Sequence, residues 1–552
     1  MLWRILLSVL KDLWQLCTTK FAIALALLMM FFSAAIADEG HHHEELTEQQ
    51  LGTVHFPVSC APAVQKSFQR GVALLHSFAF ESAEAVFREV LRDDSHCAMA
   101  HWGIARSFWR WSEPDATIRN QGWNEVTLAK SLHPSTKREK EYIAAVAALY
   151  KNPKKADAHR WDRYLAQMQQ LHKDYPEDHE ATAFYAYALV AADSDDDPQH
   201  AQRKQAAALL EPLFAAEPNH PGVAHYLIHA YDKADLARLG LPAARKYAQI
   251  ASAAPHALHM PSHIFAQLGL WQEDIASNLA SAAASRNTSS THMGDEGHQY
   301  HAMEFLMYAY LQSGREAEAR KLIDGVRALP KMKSMYGIEA DPQIDALLAY
   351  SAAYVLELHQ WEQAEVLPLT TGTKFGDDIN TYAVRAIAAA RLGHLDQAHQ
   401  AMAEIESIHK QLIDRKLQVG EWMDQEQKEA QAWIDHAEGK DDQALDLLRG
   451  LAEKETTGVF AADGELPARE MLADMLLELK RLQQALVEYE GELKINPGRF
   501  NSLYGAGKAA ELADLPDKAR TYYEQLVNEC ATGNSDRPEL AHARSFLSVI
   551  AK

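Results

Sequence analysis

One spacing, 34 residues, recurs along this chain and restricts its fold more than any other feature. Ala485, Tyr489 and Pro497 stand in RLQQALVEYEGELKINP; Ala519 and Tyr523 follow the first two at 34 residues in LPDKARTYYEQLV, with Gly507 between. The same order of residue types recurs as Gly71, Ala83 and Phe87 in GVALLHSFAFESAEAVFREVLRDD, as Ala243, Tyr247 and Pro255 in GLPAARKYAQIASAAP, and as Gly314 and Ala319 in GREAEARKLI. Weaker copies are ARLGHLDQAHQAM and AEGKDDQALDLL. A fixed period of this length marks a stacked supersecondary unit. The small residue lets two helices approach, the aromatic fills the gap between them, and proline ends the second helix. One such hairpin cannot cover its own apolar face, so the units must stack into a continuous superhelix.

These spacings and residue types resemble the tetratricopeptide repeat (TPR). The resemblance implies an all-α fold, a right-handed α-solenoid of TPR-like helical hairpins. Composition agrees, because 26 glycines in 552 residues and an evenly spread 47% of hydrophobic residues suit helices better than sheets. The expected division is an N-terminal solenoid over 56–335 and a C-terminal solenoid over 336–552. With 76 acidic against 54 basic residues the formal charge is −22, which repels phosphate backbones, and no basic stripe with interleaved aromatics reverses this locally. Nucleic acid is therefore not an expected partner.

Residues 1–37 read as a signal peptide. Arg4, Lys11 and Lys20 precede the apolar run FAIALALLMMFFSAAIA, which closes on Ala35, Ile36 and Ala37 just before Asp38. That order predicts cleavage after Ala37 and an exported, periplasmic protein; the alternative is an uncleaved membrane anchor, since the segment ahead of the run is long for a charged leader. Residues 38–55 read as a flexible tail rich in His and Glu, with His41, His42 and His43 as a tract that collects metal only loosely. The run DSDDDP from Asp193 to Pro198 lacks the glycine and terminal glutamate of an EF-hand and reads as a solvated turn.

Two histidine pairs share the 34-residue period. PGVAHYLIHAYD places His225 and His229 four apart, and PHALHMPSHIF repeats this as His259 and His263. With Ala243 as the small residue of a second helix, each pair falls at the second and sixth positions of a first helix, which in TPR proteins face the concave groove. Residues four apart share a helix face, and neighbouring axes lie about 8–10 Å apart, so the four imidazoles are expected to line one small volume. Aligning Gly269 with Gly314 brings in HQYHAMEFLMYAYLQ, mapping His256 onto His301, His259 onto Glu304 and His263 onto Tyr308, and offering His298, His301 and Glu304 to the same groove. The candidate metal ligands are thus His225, His229, His256, His259, His263, His301 and Glu304, a donor set suited to Zn, Cu, Ni or Fe. The plainer alternative is a polar groove whose histidines cap helices. Pro261 bears on both, because it cannot donate to the turn before it and so makes HALH a separate turn, moving His259 relative to His225.

No recognised catalytic motif is present. HEATA at His179 lacks the second histidine of a zinc-protease helix, GAGKA at Gly505 lacks the length and hydroxyl of a phosphate loop, and neither G-x-S-x-G nor C-x-x-C-H occurs. Trp102, Trp109 and Trp111 in HWGIARSFWRW stand at a helical spacing that fits core better than a ligand platform. Cys17 lies in the signal. Cys60 and Cys97 each open a helical pattern and read either as a disulfide in an oxidising compartment or as two buried thiols, while Cys530 has no evident partner.

Together, FPVSCAPAVQKSFQRGVALLHSFAFESAEAVFREV, CAMAHWGIA, HPGVAHYLIHAYD and PHALHMPSHIFAQLGLW look like a bacterial family of exported TPR proteins whose function is largely unassigned. The resemblance spans roughly Phe56 to Leu322 and implies a periplasmic solenoid with a bridge from Cys60 to Cys97. It leaves open two functions from different classes. The leading expectation is a non-enzymatic scaffold that holds a protein or peptide partner in the concave groove through His225, His229, His259 and His263, with membrane contact only through an uncleaved signal. The alternative is a periplasmic metal-binding protein or metalloenzyme, with Glu304 as ligand or general base.

Overall fold

A computed structural model describes residues 47–109, 114–193, 197–290, 297–329, 342–369, 378–415, 420–455 and 466–550. Among them every regular element is helical, and the chain from Thr47 onward packs as one unit. Successive helices pack as hairpins, each against the next, so the fold is an all-α solenoid of TPR-like hairpins. The signal segment, His41 to His43, Trp111 and the acidic residues 194–196 lie outside the described residues. Among the described residues no helix is long and apolar enough to cross a membrane.

The joints between hairpins are aromatic rings seated on glycines. Helices Gln65–His76 and Phe80–Asp93 make one hairpin and Ala98–Phe108 opens the next. Phe87 fills the gap: a Cβ at Gly71 would stand 2.7 Å from its ring, and one at Gly103 only 2.5 Å. Tyr489 sits the same way on Gly505, and Tyr523 on Gly507, where an added Cβ would lie 2.2 and 2.5 Å away. Ala83, Ala243, Ala319, Ala485 and Ala519 are all buried at the helix crossings. Trp102 and Trp109 are enclosed core side chains.

One part differs from what the sequence predicts, and the expected cysteine bridge is present. Residues 47–55, expected as flexible tail, are docked: Thr47 caps helix Glu48–Leu51 through a reciprocal pair with Gln50, and Thr53 N donates to Asn219 O at 2.9 Å. Gly52 makes this possible, since it holds φ +84° and a Cβ there would stand 2.7 Å from Asn219 O. Cys60 is bridged to Cys97, 37 residues on, a cross-link worth about 4 kcal/mol of unfolded-chain entropy. Cys530 is buried, and burial pushes its thiol up to about 12.

The C-terminal hairpins return to the middle of the chain. Trp271 Nε1 donates to Gly498 O at 3.1 Å, Phe500 N to Gln312 Oε1 at 2.8 Å, and Arg315 Nη2 to Thr532 Oγ1 at 2.9 Å. At the centre of this contact Arg499 is fully buried. Its guanidinium grips Glu470 with two bonds of 2.7 and 2.8 Å and meets Glu357 at 2.7 Å. One cation thus serves two buried carboxylates, and removing it strands them. Arg499→Met is expected to cost about 3–5 kcal/mol, the scale for breaking a buried ion pair. Urea unfolding checks this as a lower midpoint, whereas Lys410→Ala, which opens an exposed pair with Asp414, is expected to leave the midpoint in place.

Candidate metal centre

The site is assembled from three helical segments. Pro221 opens helix Pro221–Tyr231, and His220 caps it, its Nδ1 accepting from Val223 N at 3.2 Å. Gly222 then lies directly against the His76 ring, where a Cβ would be 2.3 Å from Nδ1, so the turn is pressed onto helix Gln65–His76. A buried network fixes the contact. His76 Nε2 and His220 Nε2 reach the two oxygens of Glu180 at 2.7 and 3.0 Å, and Tyr226 Oη lies 3.0 Å from His76 Nδ1. Burial alone would push the Glu180 carboxyl up, but His220 and His76 hold it well below the usual carboxylate range. These three residues also form a compact donor group. Each of their ring nitrogens already has a protein partner, so the network is structural.

The second segment is the proline-split pair of helices Pro255–His259 and Pro261–Gln267. As the sequence predicts, Pro261 opens a separate helix. Met260 between them nevertheless holds helical angles, φ −50° and ψ −34°, so the direction is preserved and His259 and His263 keep one face. Helix Gly297–Gln312 is the third segment and carries His298 and His301.

Here the histidines sort into two groups, not one. His225, His229 and His256 form the first and His259, His263 and His301 the second; within each group one ring nitrogen per residue lies within 4.8 Å of the others. The groups abut, with ring centres 6.0 Å apart for His256 and His259 and 6.2 Å for His229 and His263. His298 stands beside the first group, 4.8 Å from His256 between ring centres.

Hydrogen bonding fixes which nitrogen four of the imidazoles present, those of His225, His259, His263 and His301. A carbonyl or carboxylate oxygen only accepts, so the nitrogen facing it carries a proton and, in the neutral ring, the other holds a lone pair. His259 Nδ1 faces Asn278 Oδ1 at 2.7 Å, and Asn278 is itself oriented because its Nδ2 donates to Asp274 O and Oδ1 at 3.1 and 2.9 Å. His263 Nδ1 donates to Asp232 Oδ2 at 2.8 Å, and His301 Nδ1 to Glu304 Oε2 at 2.9 Å. His259 Nε2 and His263 Nε2 are left facing each other at 3.0 Å. Two lone pairs at that distance repel; a cation between them turns the repulsion into ligation. Nitrogens bound at about 2.0–2.1 Å to a tetrahedral ion stand roughly 3.3 Å apart. Histidine ligands commonly have the other nitrogen tied to an oxygen in this way.

In the first group His225 Nδ1 donates to His76 O at 2.6 Å, and its Nε2 stands 3.1 Å from His256 Nε2. Burial pushes His225 down to about 3 and, with the neighbouring imidazoles, holds His229 and His256 well below the ordinary histidine value. Burial, then His301 and His263, does the same to His259. These rings are neutral, the form that binds metal.

Several expectations need correction. His225 and His259 are 0% and 1% exposed, so they do not line an open groove; His263 and His301 keep side-chain exposures of 13% and 34%. Glu304 sits behind His301 and orients it instead of joining the ligand group. His259 faces His301, with ring centres 4.4 Å apart. Tyr308 packs on Trp271 and reaches Arg499, away from the histidines. Sequence reasoning missed Asn278, Asp232 and Phe78, whose ring stacks on His256 at 5.0 Å between ring centres. Of these only Asp232, directly after HAY in the quoted stretch, carried a signal.

No protein-family model matches the chain, and no curated protein matches it. Among solved structures, the human IFIT1 dimer with m7Gppp-AAAA is similar over 83% of this chain and 95% of that one, at 12% identity and a TM-score of 0.36. The APC/C hetero-tetramer Cut9-Hcn1 is similar over 76% and 85%, at 11% identity and a TM-score of 0.26. Naa15/Naa10 bound to HypK-THB is similar over 88% and 91%, at 9% identity and a TM-score of 0.23.

Proposed function

We propose that this helical-repeat protein is a metal-binding scaffold, taking a late first-row transition ion such as zinc, copper or nickel in its imidazole pocket. The observation that carries the reading is the pair of lone-pair nitrogens of His259 and His263 at 3.0 Å, each with its Nδ1 committed to an oxygen. An all-histidine donor set suits these ions. An exported location fits the same reading, since the bridge from Cys60 to Cys97 belongs in an oxidising compartment. Iron is less favoured because, among the described residues, no carboxylate joins either three-histidine group.

A protein partner is the second reading. Stacked hairpins are a common platform for partners, and the exposed edges of His263 and His301 are where a partner carboxylate would meet the pocket. Such a partner would cover the ion's open side. Loss of a pulled-down partner on mutating His263 and His301, with metal still bound through the remaining histidines, supports it.

The test of the metal reading is elemental analysis of tag-free chain after zinc loading and gel filtration, with His41, His42 and His43 replaced by alanine to remove the loose tract. Stoichiometric zinc is expected, and a large part of it lost in His259→Ala with His263→Ala; zinc-free protein of unchanged thermal stability contradicts the reading. A second variant addresses the orienting shell. Asn278→Leu removes the acceptor behind His259 and is expected to weaken zinc binding about 10–100-fold. Asn278→Asp restores an acceptor and is expected to recover it; equal affinity in all three proteins contradicts the role.

A further inference from the structure

The six grouped imidazoles form one continuous cluster. Across the boundary between the groups the ring centres stand 6.0 Å apart for His256 and His259 and 6.2 Å for His229 and His263. Those gaps are no wider than the longest inside a group, 6.5 Å for His229 and His256. His256 and His259 lie three residues apart on helix Pro255–His259, so one face of one short helix supplies a ligand to each group. Ions bound in the two groups are therefore neighbours.

Each group also rests on a phenyl ring that meets all three of its imidazoles. Between ring centres, Phe78 lies 4.4 Å from His225, 5.8 Å from His229 and 5.0 Å from His256. Phe305 lies 4.8, 4.8 and 5.3 Å from His259, His263 and His301. Phe78 holds its place against strain. Its φ of 54° is left-handed, in the kind of turn where Gly269 and Gly314 take φ 67° and 68°. All three turns close on the same backbone bond, Ala79 N to Leu74 O, Leu270 N to Phe265 O and Arg315 N to Tyr310 O. Glycine adopts that conformation freely and a bulky residue does not. A strained phenylalanine in this position points to a function for its ring, which lies on the histidines.

Water reaches the cluster, because His229 is only partly buried and the His263 and His301 side chains are 13% and 34% exposed. Two dications held side by side repel each other in proportion to the product of their charges. An anion between them offsets that repulsion, and bound water supplies one, since its pKa falls to about 7 on a single zinc ion. One proton leaves to solvent, and the hydroxide oxygen keeps a lone pair for each ion.

We propose that the two histidine groups form a single dinuclear centre: His225, His229 and His256 hold one divalent ion, His259, His263 and His301 hold the other, and one hydroxide oxygen bridges them. Two-metal sites of this kind set their ions about 3.5–4 Å apart. The inference rests on the metal-binding reading above and adds that the ions share a ligand.

The test uses the full chain with His41, His42 and His43 replaced by alanine, loaded with Cu(II), kept oxidised with ferricyanide and desalted. Two copper ions per chain are expected by elemental analysis, with an electron paramagnetic resonance signal far weaker than that of two spins, because an oxygen bridge couples the unpaired electrons. Acid release is expected to restore the signal of both ions. His256→Ala is expected to leave one copper with its full single-ion signal, and His301→Ala the same, with His229→Ala standing in should His256→Ala fail to fold. Two coppers that each give their full signal overturn the bridge while leaving metal binding intact. One copper per chain, with every cluster histidine in place, overturns the pairing. A chain that binds no copper overturns the underlying reading itself.

Discussion

The close approach of successive hairpins is the constraint on which the rest depends. A ring set on a glycine, as Phe87 is on Gly71 and Gly103, leaves no tolerance for sliding: a single added methyl would overlap it. Overpacking of that kind costs about 1–3 kcal/mol per site, so each joint selects one register. Gly222 against His76 is the joint that matters for the pocket. It presses helix Pro221–Tyr231 onto helix Gln65–His76, and the last carbonyl of that helix, His76 O, then sets the tautomer of His225.

Register in turn dictates chemistry. Histidines at equivalent positions of stacked helices would ordinarily be harmless polar neighbours. Here the opposite nitrogen of each oriented ring is tied to an oxygen from elsewhere in the chain, Asn278, Asp232, Glu304 or His76, so lone pairs are turned inward. Burial keeps the deep rings neutral. The fold thus holds an arrangement that is poor for a closed hydrophobic core and suited to a cation. The structural networks around it, Glu180 between two histidines and Arg499 between two glutamates, keep the surrounding hairpins from relaxing that arrangement.

The architecture was legible because the period is local arithmetic: Ala485 with Ala519, Tyr489 with Tyr523, and His225 with His259 all recur at one interval. The neighbourhood of His225, His229, His259 and His263 came from that interval, and the turn break came from Pro261. The division into two groups did not, because it depends on His256 projecting from the short helix before Pro261 toward His225. The alignment of Gly269 with Gly314 holds, since both take the same left-handed turn at φ 67° and 68°, but equivalent positions of stacked helices do not meet face to face, and His259 lies against His301. Asn278, Phe78 and the return of Arg499 to Glu357 are long-range contacts with no periodic trace.

X-ray absorption at the zinc edge of the zinc-loaded chain tests the central claim most directly. The account predicts a first shell of nitrogen at about 2.0–2.1 Å with the outer-ring multiple scattering of three imidazoles per ion and no sulfur. A shell of oxygen alone, without imidazole scattering, would contradict it.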